Sequence, residues 1–145
     1  MKFNEARKIV KDMQMAEKTI ADMVETMGIY AINHYKKSFI DGGFTDVNFK
    51  AWRQRKRTRD GDGRAILVGQ GGGGRLKDSI RYRKINKYSV RIESNVIYAN
   101  VHNEGLRSGR GRGFIMPKRQ FVGYSERLSR KIELRLRYNI EKIFK

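Results

Sequence analysis

The chain has 145 residues, enough for one domain with a real core. Its 33 basic and 15 acidic residues give a formal charge of +18, which points to polyanions or acidic proteins as partners, or more plainly to a basic surface with no dedicated ligand. Without cysteine, disulfides and thiolate metal sites are excluded, and no apolar run approaches the roughly 20 residues of a bilayer span.

The opening MKFNEARKIVKDMQ lacks a signal-peptide core, so the expected setting is the cytoplasm, or a particle assembled there. Residues 1–40 read as one long helix. Ile9, Met13, Ala16, Ile20, Met23, Met27, Tyr30 and His34 follow a 4-3-4-3 spacing, a narrow apolar stripe of heptad character. Gly28 is a weak point in its middle and Gly42 a C-terminal stop. Such a helix, on the order of 50 Å long, exceeds a small domain. Either part of it packs on another chain, or it pairs antiparallel with the last helix, since the same spacing serves both.

Residues 41–75 change character. Phe44, Val47, Phe49, Trp52 and the Ile66–Val68 run are the strong hydrophobes, and seven of the fourteen residues from Gly61 to Gly74 are glycine. The reading is a flexible basic and glycine-rich loop around a short apolar anchor. From Ser79 to Ser94 the period becomes two. Ile80 and Tyr82 alternate with Arg81 and Arg83, and Tyr88, Val90 and Ile92 with Ser89, Arg91 and Glu93. This predicts a β-hairpin turning at Asn86-Lys87 with one wet face.

Val96 to His102 predicts a short helix ended by Gly105, and LRSGRGRGF (Leu106–Phe114) a second flexible basic loop. Pro117 and the Phe121-Val122 anchor come next. Ser125 is placed to cap a closing helix over 123–145, with Leu128, Ile132, Leu136, Ile140 and Ile143 as its apolar stripe. The prediction is a single α+β domain over 1–145, with the hairpin, short helix and second loop in 76–122 forming a small antiparallel sheet.

The run AILVGQGGGGRLKDSI raises the question of a phosphate cradle. Gly69, Gly71 and Gly74 satisfy G-x-G-x-x-G, and Glu93 stands near where a ribose-binding acid would fall. The motif needs a following helix inside a parallel strand–helix–strand unit. Arg75 to Ser79 leaves room for one turn before strand alternation begins, and Arg75 and Leu76 replace the Lys and Ser or Thr of a P-loop. A flexible tether is the better reading.

His102, Asn103 and Glu104 suggest a metal site, but divalent sites need three or four converging ligands, and His34 lies on the helix stripe. A capping or interface role fits His102 better. Ser79, Ser94, Ser125 and Ser129 have no histidine at motif spacing, and Asp60 and Asp62 lie among six basic residues that they locally compensate. No catalytic residue, metal ligand or cofactor is assigned. Two clusters fit phosphate contact without base readout: Arg53, Arg55, Lys56, Arg57, Arg59 and Arg64 beside Trp52, and Arg107, Arg110, Arg112, Lys118 and Arg119 around Phe114. The same loops would serve equally to dock on an acidic protein.

Three stretches, in order, resemble the phage virion morphogenesis family, the Mu-like and P2-like tail completion group. They are GRLKDSI (Gly74–Ile80), YANVHNEG (Tyr98–Gly105) and MPKRQFVGYSE (Met116–Glu126). They are similar to the family's T-G-x-L-x-x-S-I, Y-A-x-x-H-x-x-G and P-x-R-x-F-x-G segments, and Trp52 resembles the tryptophan before its basic stretch. The likeness covers about residues 44–130. The chain departs from the pattern by inserting Gly-Gln-Gly-Gly-Gly before Arg75.

The matching residues Arg75, Leu76, Asp78, Ser79, His102, Gly105, Pro117, Arg119, Phe121 and Gly123 read mostly as scaffold. The resemblance implies a non-enzymatic structural protein in tail completion or head–tail joining. It would form a ring, with six copies the expected number, at the head-proximal end of the tail. Its partners would be further copies of itself, connector or tail-tube proteins, and DNA in the channel, with no membrane. An independent nucleic-acid-binding module and a nuclease are the competing classes.

Overall fold

The computed structural model describes residues 3–54, 66–67 and 75–144. Helix α1 (Phe3–Asp41) is unbroken, about 58 Å long at 1.5 Å per residue. It ends as the sequence predicts, at Gly42 with φ +68°. The hairpin of β3 (Arg81–Asn86) and β4 (Ser89–Glu93) lies along one side of α1, and helix α4 (Glu126–Glu141) along another. Two hydrogen bonds fix the direction of α4. Ser125 donates its hydroxyl to the Thr45 carbonyl, and Asn139 Nδ2 approaches Met23 Sδ at 3.0 Å, so the helices run antiparallel. The intrachain pairing is therefore the one observed over the C-terminal part of α1.

Because two elements cover α1, its buried face is wider than the predicted stripe. Val24, Gly28, Ala31, Tyr35, Ser38 and Phe39 form its centre, one residue away from the expected line through Met27, Tyr30 and His34. Gly28 breaks nothing. A Cβ there would stand 2.6 Å from the Tyr82 ring, so the missing side chain is what lets β3 lie against the helix. At the N-terminal end the stripe stays open, with Ile9 and Met13 49% and 63% exposed.

The predicted hairpin forms with Arg81 opposite Glu93 and a register shift between Lys84 and Asn86. Asn86 Oδ1 accepts from the Tyr88 amide at 2.8 Å, which closes the turn. Two regions whose composition reads as shapeless loop carry ordered strands. Within 41–75, β1 (Gly43–Thr45) pairs with β2 (Phe49–Ala51), and the Trp52 amide returns to the Gly42 carbonyl at 2.8 Å. Within 106–115, β5 (Arg107–Ser108) pairs with β6 (Phe114–Ile115). The intervening glycines are needed for their backbone conformation. Gly109, Gly111 and Gly113 hold φ of 95°, 62° and 57°, which lets a five-residue loop reverse the chain. Their alternation with arginine disguises a hairpin as a linker.

The α+β class holds, and among the described residues the small antiparallel sheet is divided into three two-stranded ladders. Helix α2 (Arg75–Ser79) precedes β3, and α3 (Ala99–Glu104) ends at Gly105 in the left-handed conformation. Ser125 caps α4 by accepting from the Leu128 amide at 3.2 Å. Leu128 is buried and Ile132, Leu136, Ile140 and Ile143 half-buried, as their spacing predicts. The core gathers Ala31, Tyr35 and Phe39 of α1 with Phe44, Trp52, Ile66, Leu76, Ile80, Phe121 and Leu128.

Candidate assembly surface

Residues 116–126 form the structural centre of the site. Most of this segment has no partner strand, so its backbone groups depend on side chains from elsewhere. Asn103 Oδ1 accepts from the amides of Phe121 and Val122 at 2.9 and 3.0 Å, and its Nδ2 donates to the Val122 carbonyl at 3.1 Å. Trp52 Nε1 donates to the Gln120 carbonyl, and the Tyr35 hydroxyl to that of Gly123, both at 2.8 Å. Asp46 Oδ1 accepts from the Glu126 amide at 2.7 Å. So held, Phe121 is buried with its ring centre 5.0 Å from Phe39, which in turn meets Trp52 edge-on at 5.5 Å.

Several motif residues converge on this centre. Leu76 and Ile80 are core anchors. The Ser79 hydroxyl donates to the Leu76 carbonyl at 2.7 Å and lies 2.7 Å from Ser94 Oγ, which ties α2 to the end of β4. Asp78 is exposed on the outside of that turn. A Cβ on Gly105 would stand 2.9 Å from the Lys118 amide, so the chain beyond Pro117 crosses at glycine distance. The Arg119 amide bonds the His102 carbonyl at 2.8 Å. Sequence proximity groups Arg119 with surface cations, yet it is buried, with its guanidinium turned to the Arg53 carbonyl at 3.2 and 3.4 Å. Its place is in the scaffold.

His102 stands edge-on to Tyr98, with ring centres 5.8 Å apart. Among the described residues its buried Nδ1 has no hydrogen-bond partner, and burial, helped by Arg119, holds its pKa below the ordinary value. Among the described residues no three His, Cys, Asp or Glu side chains lie together as a metal site would require, and no helix is long and apolar enough to cross a membrane. Sequence reasoning misses Asn103 as the clamp and Asp46 as a cap. Tyr35 and Phe39 at i, i+4, beside the predicted stripe, could have been found from their spacing.

Of the basic clusters, Arg55, Lys56, Arg57, Arg59 and Arg64 lie outside the described residues, as do Gly69–Gly74; the Arg75 backbone opens α2. Arg53 is exposed where the first cluster begins. Arg107, Arg110 and Arg112 are exposed on the β5–β6 hairpin beside open Leu106, Phe114 and Ile115, and among the described residues they form no ion pair. Some other cations are compensated: Arg81 and Arg83 by Glu93, Lys87 by Glu17, Lys118 by Glu104, Arg137 by Glu133. These pairs are exposed and contribute little to stability. A second basic surface follows α4, where Arg127 and Lys131 border a groove against α1 that also holds Tyr30, His34 and Lys37.

The geometry defines a small α+β scaffold whose motif residues hold backbone segments together while its cations face outward on hairpins and on α4. The comparison with known families agrees with this and goes further. The model of the phage virion morphogenesis family matches residues 45–141, about two thirds of the chain, and the chain belongs to that family. No curated protein and no solved structure matches it.

Proposed function

We propose that the protein completes the phage tail or joins it to the head, as one subunit of a ring at the head-proximal end of the tail. In this role it acts by docking and catalyses no reaction. The observation that carries the reading is the family match, whose residues include the Asn103-clamped segment. The clamped scaffold supports it, because its side chains are spent on positioning backbone and its cations on display. The connector, the tail tube and DNA in the channel are the surfaces such charge would meet. Docking driven by it will weaken as salt rises.

Particles assembled without this chain test the proposal. Filled heads beside finished-looking but unjoined tails are the expected result, and infectious virions built normally would overturn it. One observation favours a second reading, sequence-independent nucleic-acid binding: Arg107, Arg110 and Arg112 share one hairpin with open Phe114, cations beside a stacking face. Sub-micromolar, salt-sensitive binding of random duplex DNA by the isolated chain would select that reading.

A further inference from the structure

The N-terminal third of α1 combines low net charge with an open apolar stripe. Residues 3–18 hold four basic and three acidic residues, a net +1 against +18 for the whole chain. Apart from Glu17, which is bonded to Lys87 and Tyr88 of the β3–β4 turn, those charges are sorted by face. At 100° per residue, Glu5, Ile9, Asp12, Met13 and Ala16 share one side of the helix, and Arg7, Lys8, Lys11 and Lys18 the other. Ile9, Val10 and Met13 are about half exposed or more. The α4 helix reaches α1 at Met23 and the β3–β4 turn reaches it at Glu17, so this face lies toward the free end beyond both.

The complement of this face is on the same chain. A trough of ≈ 320 Å³ between the β1–β2 turn and the outer side of α4 is lined by Val47, Glu126, Arg127, Arg130, Lys131 and Leu134. Val47 and Leu134 are 55% and 67% exposed at its apolar floor, and three of the six lining residues are cations at its rim, of which Arg130 is paired with the neighbouring Glu126 while Arg127 and Lys131 lie beside it. An apolar stripe flanked by carboxylates faces the opposite arrangement, an apolar floor flanked by cations. The two patches are different surfaces, so matching them across copies gives a head-to-tail contact, which closes into a ring where the rotation permits.

We propose that the N-terminal third of α1 docks on a second copy of this chain, laying its Ile9–Met13 face into the Val47–Leu134 trough. The inference rests on the ring reading for the expectation that copies meet, and it names the surfaces by which they do. It also lowers the repulsion between copies of so basic a chain, because a segment of net +1 with carboxylates beside its apolar stripe meets the basic body.

The absence of cysteine gives a clean test. Met13→Cys and Leu134→Cys chains, each checked for native circular dichroism, are mixed and oxidised. A covalent heterodimer in the mixture but not with either chain alone is expected, together with a ladder of multimers from the doubly substituted chain. Efficient dimers of the Met13→Cys chain alone would overturn the inference in favour of symmetric arm pairing. A multimer by sedimentation without the mixed crosslink would overturn these surfaces and leave the ring standing. A monomer at every concentration and low salt, without crosslinks, would overturn both.

Discussion

The two ends of α1 are made of one continuous helix and are used in opposite ways. From Val24 to Phe39 every inward side chain is covered by the β3–β4 hairpin, by α4 or by the Asn103-clamped segment, and this end carries the core. From Glu5 to Ala16 the same helical period continues over residues that nothing in the described structure buries deeply. Helix formation therefore does not depend on local burial along its whole length; the covered end supports the open one. The difference separates side chains that hold the fold, at the covered end, from side chains left open at the surface.

Substitutions should divide along that line, beginning with the largest effect. Phe121→Ala removes the ring packed on Phe39 and should destabilise the chain by about 3–5 kcal/mol in denaturant titration. A neutral result would mean that the clamped segment is not part of the core. Asn103→Ala leaves the Phe121 and Val122 amides without their acceptor, at a cost of about 1–3 kcal/mol. Asn103→Asp, which keeps an acceptor oxygen, should recover part of that loss.

Much of the covered end is legible in the sequence, because its signals are local. The β3–β4 alternation, Gly42 and Gly105 as stops and Ser125 as a cap each follow from a few adjacent residues. The β1–β2 and β5–β6 ladders are harder to see. Two- and three-residue strands show no measurable alternation, and positive-φ glycines between arginines have the composition of a linker. Asn103 is invisible as a clamp since its partners are 18 and 19 residues away and are backbone groups, which leave no trace in residue identity. The buried line on α1 is displaced by one residue because two neighbours cover the helix, and sequence spacing carries no count of neighbours.

Gly28→Ala tests the seam between α1 and the hairpin. Ala is the better helix former by about 1 kcal/mol, but its Cβ would collide with the Tyr82 ring, an overpacking cost of about 1–3 kcal/mol. Net destabilisation is expected. With Tyr82→Ala already present, the same substitution should become stabilising, by roughly 0.5–1 kcal/mol. Thermal melts of the four chains decide this, and a loss of similar size in both backgrounds would assign the cost to something other than the ring.

A smaller effect is set by pH. Burial first, then Arg127 and Lys131, hold His34 below the ordinary imidazole value of 6.5, against an opposing pull from its hydrogen bond to the Thr45 carbonyl. His102 is lowered in the same direction, by burial and then by Arg119. Both groups bind protons more readily in the unfolded chain. Their contribution is therefore complete above 6.5 and is lost as pH falls through that value toward the depressed folded pKa. The melting temperature should drop between neutral pH and about pH 5.5, and His34→Gln should flatten part of the slope.

The smallest effect on the fold is expected at the open end, and it makes the comparison sharpest. Met13→Ala removes a side chain that is 63% exposed and should change monomer stability by no more than about 0.5 kcal/mol. Ala also favours helix slightly, so the arm itself should persist. If this face meets a second copy, the same substitution should shift a sedimentation equilibrium toward smaller species while the melting curve measured on dilute protein stays in place. A fall in dilute melting temperature comparable to that of Asn103→Ala would place Met13 among the residues that hold the fold, and the division between the two ends of α1 would be lost.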